Sequence, residues 1–160
     1  MSGRDIEVAP RWVRLATAVL VVVGLLVASY MTFEHYTENK TLACNVKGMI
    51  DCASVTTSKY SMILGLPVAL AGLLWFTATA ALAFWAHQSL PAEKRTTILL
   101  AWYGIGLAFV LYLVWVELVP LGKICSWCTV VHIDTLALFL VGLSDKLLAP
   151  LHLESRTDGN

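Results

Sequence analysis

Residues 125–148 read CSWCTVVHIDTLALFLVGLSDKLL, a Cys125-Ser126-Trp127-Cys128 pair of thiols at the mouth of a long apolar run. A hydrocarbon core of roughly 30 Å is crossed by about 20 helical residues, so the run after Cys125 is read as one membrane span. The motif stands where a loop ends and this helix begins. Unpaired N–H groups and the helix dipole there favour thiolate over thiol. Cysteines three apart share a helix face, which sets Cys128 about one turn, roughly 5 Å, deeper than Cys125. His132 continues that face by another turn, and an ionisable group inside a membrane is rare and more often functional than not. Asp134 points nearly the opposite way and is expected to hydrogen-bond another span or to meet a partner helix.

Working outward, three further stretches are long enough to span, at about residues 12–32, 61–85 and 97–119. The chain is 58% hydrophobic and 14% charged with a mean hydropathy of +0.74. A soluble domain runs at about 45–50% apolar and about 25% charged, so this is an integral membrane protein. The fold class is all-α: a four-helix transmembrane bundle, one domain over residues 1–150. A polar tail at 151–160 is expected to be disordered. The formal net charge of zero leaves no basic footprint for nucleic acid.

Topology follows from the cations. The N-terminus, the short link at 86–96 and the tail share one side and hold Arg4, Arg11, Arg14, Lys94, Arg95, Lys146 and Arg156; the other side holds Lys40, Lys47, Lys59 and Lys123. Cytoplasmic loops carry the excess of Lys and Arg, which places both termini in the cytoplasm and every cysteine on the outer, oxidising side. The alternative of a cleaved signal peptide, with Arg11 and Arg14 ahead of an apolar run, is disfavoured because that run exceeds a usual h-region. Small residues (Ala69, Gly72, Ala78 and Ala81, then Gly104, Gly106 and Ala108) suit close helix contact. Trp12, Tyr36, Tyr60, Trp85, Trp102, Trp115 and Trp127 read as interfacial anchors, and Pro67 as a first-turn proline of the second span. Glu117 is expected simply to reach the interface. The outer loop, 33–60, carries Cys44 and Cys52. Its Ser/Thr-rich run after Cys52, with apolar Val55, suits a short surface helix. Asn39-Lys40-Thr41 is formally a glycosylation sequon, to which no weight attaches.

Four cysteines in two pairs admit three readings: a redox relay, two permanent disulfides (Cys44–Cys52 and Cys125–Cys128), or zinc. A bridge across C-x-x-C closes too small a ring to add much stability and is better suited to opening by an attacking thiolate. Zinc is disfavoured, and no metal is expected, because Cys44-x7-Cys52 lacks the usual short knuckle and both pairs face an oxidising compartment. In the relay, one loop cysteine trades electrons with a soluble dithiol protein and the other bridges transiently to the motif. Depth assigns Cys125 to the loop and Cys128 to a membrane quinone, with His132 as donor or proton source for a quinone oxygen.

The order of these elements resembles the vitamin K epoxide reductase family in its bacterial disulfide-forming form. The resemblance is carried by Cys44 and Cys52, then Ser58, then Ile-Leu-Gly-Leu-Pro-Val-Ala at 63–69, then the C-x-x-C at the fourth helix, and it covers nearly the whole chain. It implies a four-helix bundle around a quinone of the menaquinone, ubiquinone or phylloquinone type, with the loop as a lid. By that resemblance Cys44 exchanges with the partner, Cys52 pairs with Cys125 in transit, and Cys128 deals with the quinone. Ser58 matches the family's functional serine. Vertebrate-type members carry a tyrosine where this chain has His132 and an asparagine aligned with Ser61. Both are quinone contacts in those members, so simple quinone reduction is expected here; the alternative within the family is a vitamin K epoxide or quinone reductase acting in the reverse physiological sense. Bacterial members often carry a fused thioredoxin-like domain; here that partner is expected to be a separate extracytoplasmic protein. The disulfide bond formation protein B family shares the chemistry, but its motif order is the reverse. Outside this chemistry, the alternative is a non-enzymatic four-span scaffold with structural disulfides.

Overall fold

The computed structural model describes residues 9–37, 44 and 49–157. In chain order the elements are α1 (Arg11–Tyr36), α2 (Cys52–Thr56), a 3-10 turn (Lys59–Ser61), β1 (Met62–Ile63), β2 (Leu66–Pro67), α3 (Val68–Ser89), α4 (Ala92–Val116), a π turn (Glu117–Leu121) and α5 (Ser126–Thr157). Helices α1, α3, α4 extended by the π turn, and α5 as far as Leu148 are each long and apolar enough to cross a bilayer. The protein is therefore a multi-pass integral membrane protein, as its composition requires. The triplet Asn39-Lys40-Thr41 and the cations Arg4, Lys40 and Lys47 lie outside the described residues.

Packing explains the arrangement of the spans. α1 lies against both α3 and α5, and α5 lies against α4. The core between them joins Val21, Phe76, Leu99, Tyr103 and Leu138. Leu15, Val19, Val22 and Leu26 of α1 stay exposed, as a lipid-facing stripe must, since lipid tails satisfy apolar side chains as well as a core does. Close glycine contacts set the helix separations, Gly142 of α5 against the Tyr103 ring of α4 among them. A Cβ on Gly24 would run into the ring of Phe76, and one on Gly106 into the ring of Trp75. Gly24 of α1 was not among the small residues expected to pack, while Ala78, Ala81 and Ala108 are exposed and make no close seam. Trp102 is no interfacial anchor: it stacks on Trp75 at 6.1 Å between ring centroids and donates from Nε1 to Thr79 Oγ1 at 2.8 Å.

Three boundaries depart from the hydropathy reading. The second span begins at Val68 rather than near 61, because Leu64 (φ 52°) and Gly65 (φ 82°) both turn left-handed. Positive φ at both central residues makes a tight hairpin, pairing Met62 with Pro67 and Ile63 with Leu66. Pro67 thus closes β2 and sits at the N-cap of α3 instead of in its first turn. The third span begins earlier than expected, at Ala92, and draws Arg95 inside. There Nη2 meets Asp145 Oδ2 of α5 at 3.5 Å with both side chains buried, so Arg95 lies within the bundle and not in a polar link. Finally, α5 runs on to Thr157. The tail expected to be disordered is helical as far as that residue.

Candidate redox centre and its cavity

The loop arrives at the bundle already oriented. Asp51 caps α2, accepting from Ser54 N–H at 3.0 Å and from the Ser54 hydroxyl at 2.6 Å. These bonds hold its carboxyl below the usual carboxylate range. The cap thus comes from the residue before Cys52, not from the Ser/Thr run after it. One residue earlier, Ile50 forms a parallel β-bridge with Ile124, the residue preceding the C-x-x-C. Ile124 N–H donates to Met49 C=O at 2.8 Å, and Asp51 N–H donates to Ile124 C=O at 3.0 Å. Two backbone bonds therefore fix the register of Cys52 against Cys125. Cys52 is joined to Cys44 in a disulfide, whereas Cys125 and Cys128 are free thiols. Cys44, Cys52 and Cys125 share one buried cluster with Val27 and Met31. Cys52 and Cys125 have no exposure, and Cys44 keeps 7%.

The C-x-x-C motif opens α5. Cys128 N–H donates to Cys125 Sγ at 3.2 Å, so the first thiol does the work of a helix cap. A hydrogen bond from the Cys128 thiol, opposed by burial and helped by that backbone N–H, holds the Cys125 thiol below its ordinary value. Immediately before it, Pro120 ends the regular winding of α4, and the chain makes a π turn closed by Gly122 in the left-handed region (φ 57°). Gly122 and Lys123 both donate their N–H to Glu117 C=O, the latter at 3.0 Å. Such π turns cluster at functional sites. This one swings the Glu117 side chain beneath the motif. Its carboxylate takes a hydrogen bond from Cys125 N–H and is a second acceptor, beside the Cys125 sulfur, for the one hydrogen of the Cys128 thiol; one of its oxygens and the two sulfurs all lie within 4.8 Å of one another. Glu117 is 6% exposed, so it does not reach the interface as expected. The signal available in sequence was an acid within an apolar span, followed by a Pro and a Gly that turn the chain back on itself. Among the described residues this is the one group of three metal-type donors; a closed structural zinc site takes four.

Below the thiols lies a cavity of about 390 Å³ walled by all four long helices and by the loop. Cys128, His132, Ser58 and Ser61 all line it, as does Glu117. The walls are mainly apolar, with Trp75, Phe76, Phe109 and Val110 prominent. Volumes of about 300–1,000 Å³ with a few convergent polar groups are typical of small-molecule sites. His132 is 8% exposed and sits one turn beyond Cys128, as its spacing implies. Ser61 is turned back, donating its hydroxyl to Ser58 C=O at 2.7 Å. Ser58 Oγ is buried and has no hydrogen-bond partner among the described residues. A buried hydroxyl of this kind calls for an explanation. Tyr60, read as an anchor, also lines this space. Trp127 packs on Tyr30 at 5.0 Å between ring centroids. Asp134 is buried on another face, away from the cavity walls, and the interspan bond expected of it is not seen for Oδ2, which has no partner among the described residues.

A dithiol beside a loop disulfide, its first thiol buried and its second opening into an apolar cavity, is equipment for exchanging electron pairs. The vitamin K epoxide reductase family model matches residues 15–143, most of the chain and every element just described. This chain belongs to the vitamin K epoxide reductase family of membrane oxidoreductases.

Proposed function

We propose that this protein is a quinone-dependent thiol–disulfide oxidoreductase that takes electrons from the dithiols of a separate, extracytoplasmic thioredoxin-like protein. Cys44, the more exposed member of the loop pair, exchanges with that partner and leaves Cys44 and Cys52 reduced. The Cys52 thiolate then attacks the Cys125–Cys128 bridge at Cys125 and releases Cys128 as a thiol. Cys52 and Cys125 disengage as the loop disulfide re-forms, leaving Cys125 and Cys128 both reduced. A menaquinone, ubiquinone or phylloquinone in the cavity would accept two electrons and two protons from that dithiol. Toward such a head group His132 offers an imidazole, and Ser58 and Ser61 offer hydroxyls from the cavity wall. The aromatic walls keep water from the exchanging sulfurs. The reading places the protein in a bacterial plasma membrane with both termini cytoplasmic and the cysteines outside.

One observation carries this proposal: Cys128 belongs both to the hydrogen-bonded thiol pair beside the loop disulfide and to the wall of the cavity. A scaffold with inert bridges has no use for a thiol at such a junction. The test is quinone reduction by purified protein with a reduced thioredoxin-like donor, wild type against single cysteine variants. Cys128→Ala is expected to abolish quinone reduction while leaving Cys44–Cys52 exchange with the donor in place. Retained turnover in Cys128→Ala, or a wild type that never reduces quinone, refutes it.

A further inference from the structure

Oxidation of the Cys125/Cys128 dithiol forms one S–S bond, breaks two S–H bonds and releases two electrons and two protons. Under the function proposed above, both electrons and both protons end on the quinone. The cysteines cannot move the protons by themselves, since each sulfur must lose its own before or as the bridge forms. Hydrocarbon around the bundle offers no water for the purpose. Something beside the sulfurs has to hold a proton for part of the cycle.

We propose that Glu117 is that carrier: as the disulfide forms it takes the protons of Cys125 and Cys128 in turn and passes each to the quinone in the cavity it lines, and as the Cys52 thiolate opens the bridge it hands Cys128 the proton that Cys52 gave up. Geometry carries the assignment. The carboxylate is a second acceptor for the Cys128 thiol hydrogen, lies within 4.8 Å of both sulfurs, and is only 6% exposed. It also lines the cavity that Cys128 opens into, so the acid touches both ends of the transfer. Its backbone is held still, because the π turn closes on its own carbonyl through Gly122 and Lys123. The bond from Cys125 N–H keeps the carboxylate aimed at the motif in either protonation state. The titratable groups around it are Cys125, just ahead of α5, and Cys128 of α5, with His132 of α5, His35 of α1 and Tyr60 of the 3-10 turn on the cavity wall. Lys123 acts electrostatically on Asp51. His132 serves the ligand head group, whereas the acid serves the sulfurs. The two therefore divide proton handling between them.

The first readout needs no quinone. In purified, reduced, quinone-free protein, the alkylation rate of Cys128, followed by mass spectrometry, is measured across the range in which carboxyls and thiols titrate. Wild type is expected to show two inflections, one from the thiol and one from its coupled carboxylate, and Glu117→Gln only one. Superimposable curves overturn the proposal. The second readout is turnover. General acid–base groups contribute about 100-fold or more, so Glu117→Gln is expected to slow quinone reduction by about that factor and to enlarge the solvent deuterium isotope effect. Exchange of Cys44–Cys52 with the donor should stay at the wild-type rate. Quinone reduction by Glu117→Gln at close to the wild-type rate overturns the proposal. If Glu117→Gln does not fold, Glu117→Asp carries the test. It keeps both inflections but turns over more slowly if the proposal holds, and a single inflection overturns it. A wild type that reduces no quinone sinks the proposed function alone, since the alkylation curves still decide the role of Glu117.

Discussion

The backbone bridge between the loop and the C-x-x-C makes the relay's register testable through a single N–H. Ile124→Pro deletes the donor that meets Met49 C=O at 2.8 Å, while leaving the Ile124 carbonyl that accepts from Asp51. One of two bonds is lost. A protein hydrogen bond contributes about 0.5–1.5 kcal/mol net, and about 1.4 kcal/mol is tenfold in an equilibrium. The ratio of docked to undocked loop should thus fall by about 2-fold to 12-fold. In a Cys44→Ala/Cys128→Ala background the remaining thiols, Cys52 and Cys125, report docking directly through their mixed disulfide. The rate at which it forms under a fixed redox buffer should fall by the same factor in Ile124→Pro. Ile124→Ala, which keeps the N–H, is the control and should behave as the parent. A proline variant as fast as the parent would mean the bridge does not hold the loop. An equal loss in both would assign the effect to the side chain instead.

Three other outcomes follow from the site and its packing. His132→Ala should slow the quinone step and leave partner exchange alone, because the imidazole lines the cavity and takes no part in the bridge to the loop; stopped-flow measurement of each half-reaction separates the two. Gly106→Ala places a methyl against the Trp75 ring, and overpacking of this kind costs about 1–3 kcal/mol. Thermal unfolding in detergent should show that loss, while Gly72→Ala, where a Cβ meets nothing within 4 Å, should unfold like wild type. Because the Cys128 thiol holds Cys125 below its ordinary value, the Cys125 thiolate persists to lower pH than a free thiol. Alkylation of Cys125 should therefore reach half its maximal rate at lower pH than alkylation of a free cysteine, and Cys128→Ala should move that midpoint upward. A wild-type midpoint at or above that of free cysteine contradicts the hydrogen bond.

Much of this architecture is local information. A bilayer selects spans by hydropathy over a window of about 20 residues, so four helices, their order and the cysteines at one end of the bundle are legible in residues read a few at a time. The facing of Cys128 and His132 follows equally from helical spacing, which needs no partner to compute. Helix ends are another matter. Leu64 is a poor residue for a left-handed turn, and only the hairpin with Leu66 and Pro67 makes it adopt one, which is why α3 starts later than its apolar run. Arg95 belongs inside α4 because Asp145 waits on α5.

The chemistry of the centre divides along the same line. Which residues carry sulfur, and which sulfur lies deeper, is written in the spacing of Cys125 and Cys128, because helix geometry converts sequence separation into depth. What surrounds those sulfurs was decided only when distant segments met. Glu117 reaches the motif through a π turn that reverses the chain, and Ile50 reaches Ile124 across a gap of more than seventy positions. The hydroxyl of Ser58, without a partner among the described residues, lines a space walled by four helices. Hydropathy is a property of each residue and its near neighbours, but hydrogen-bond partners and cavities are properties of the assembled bundle.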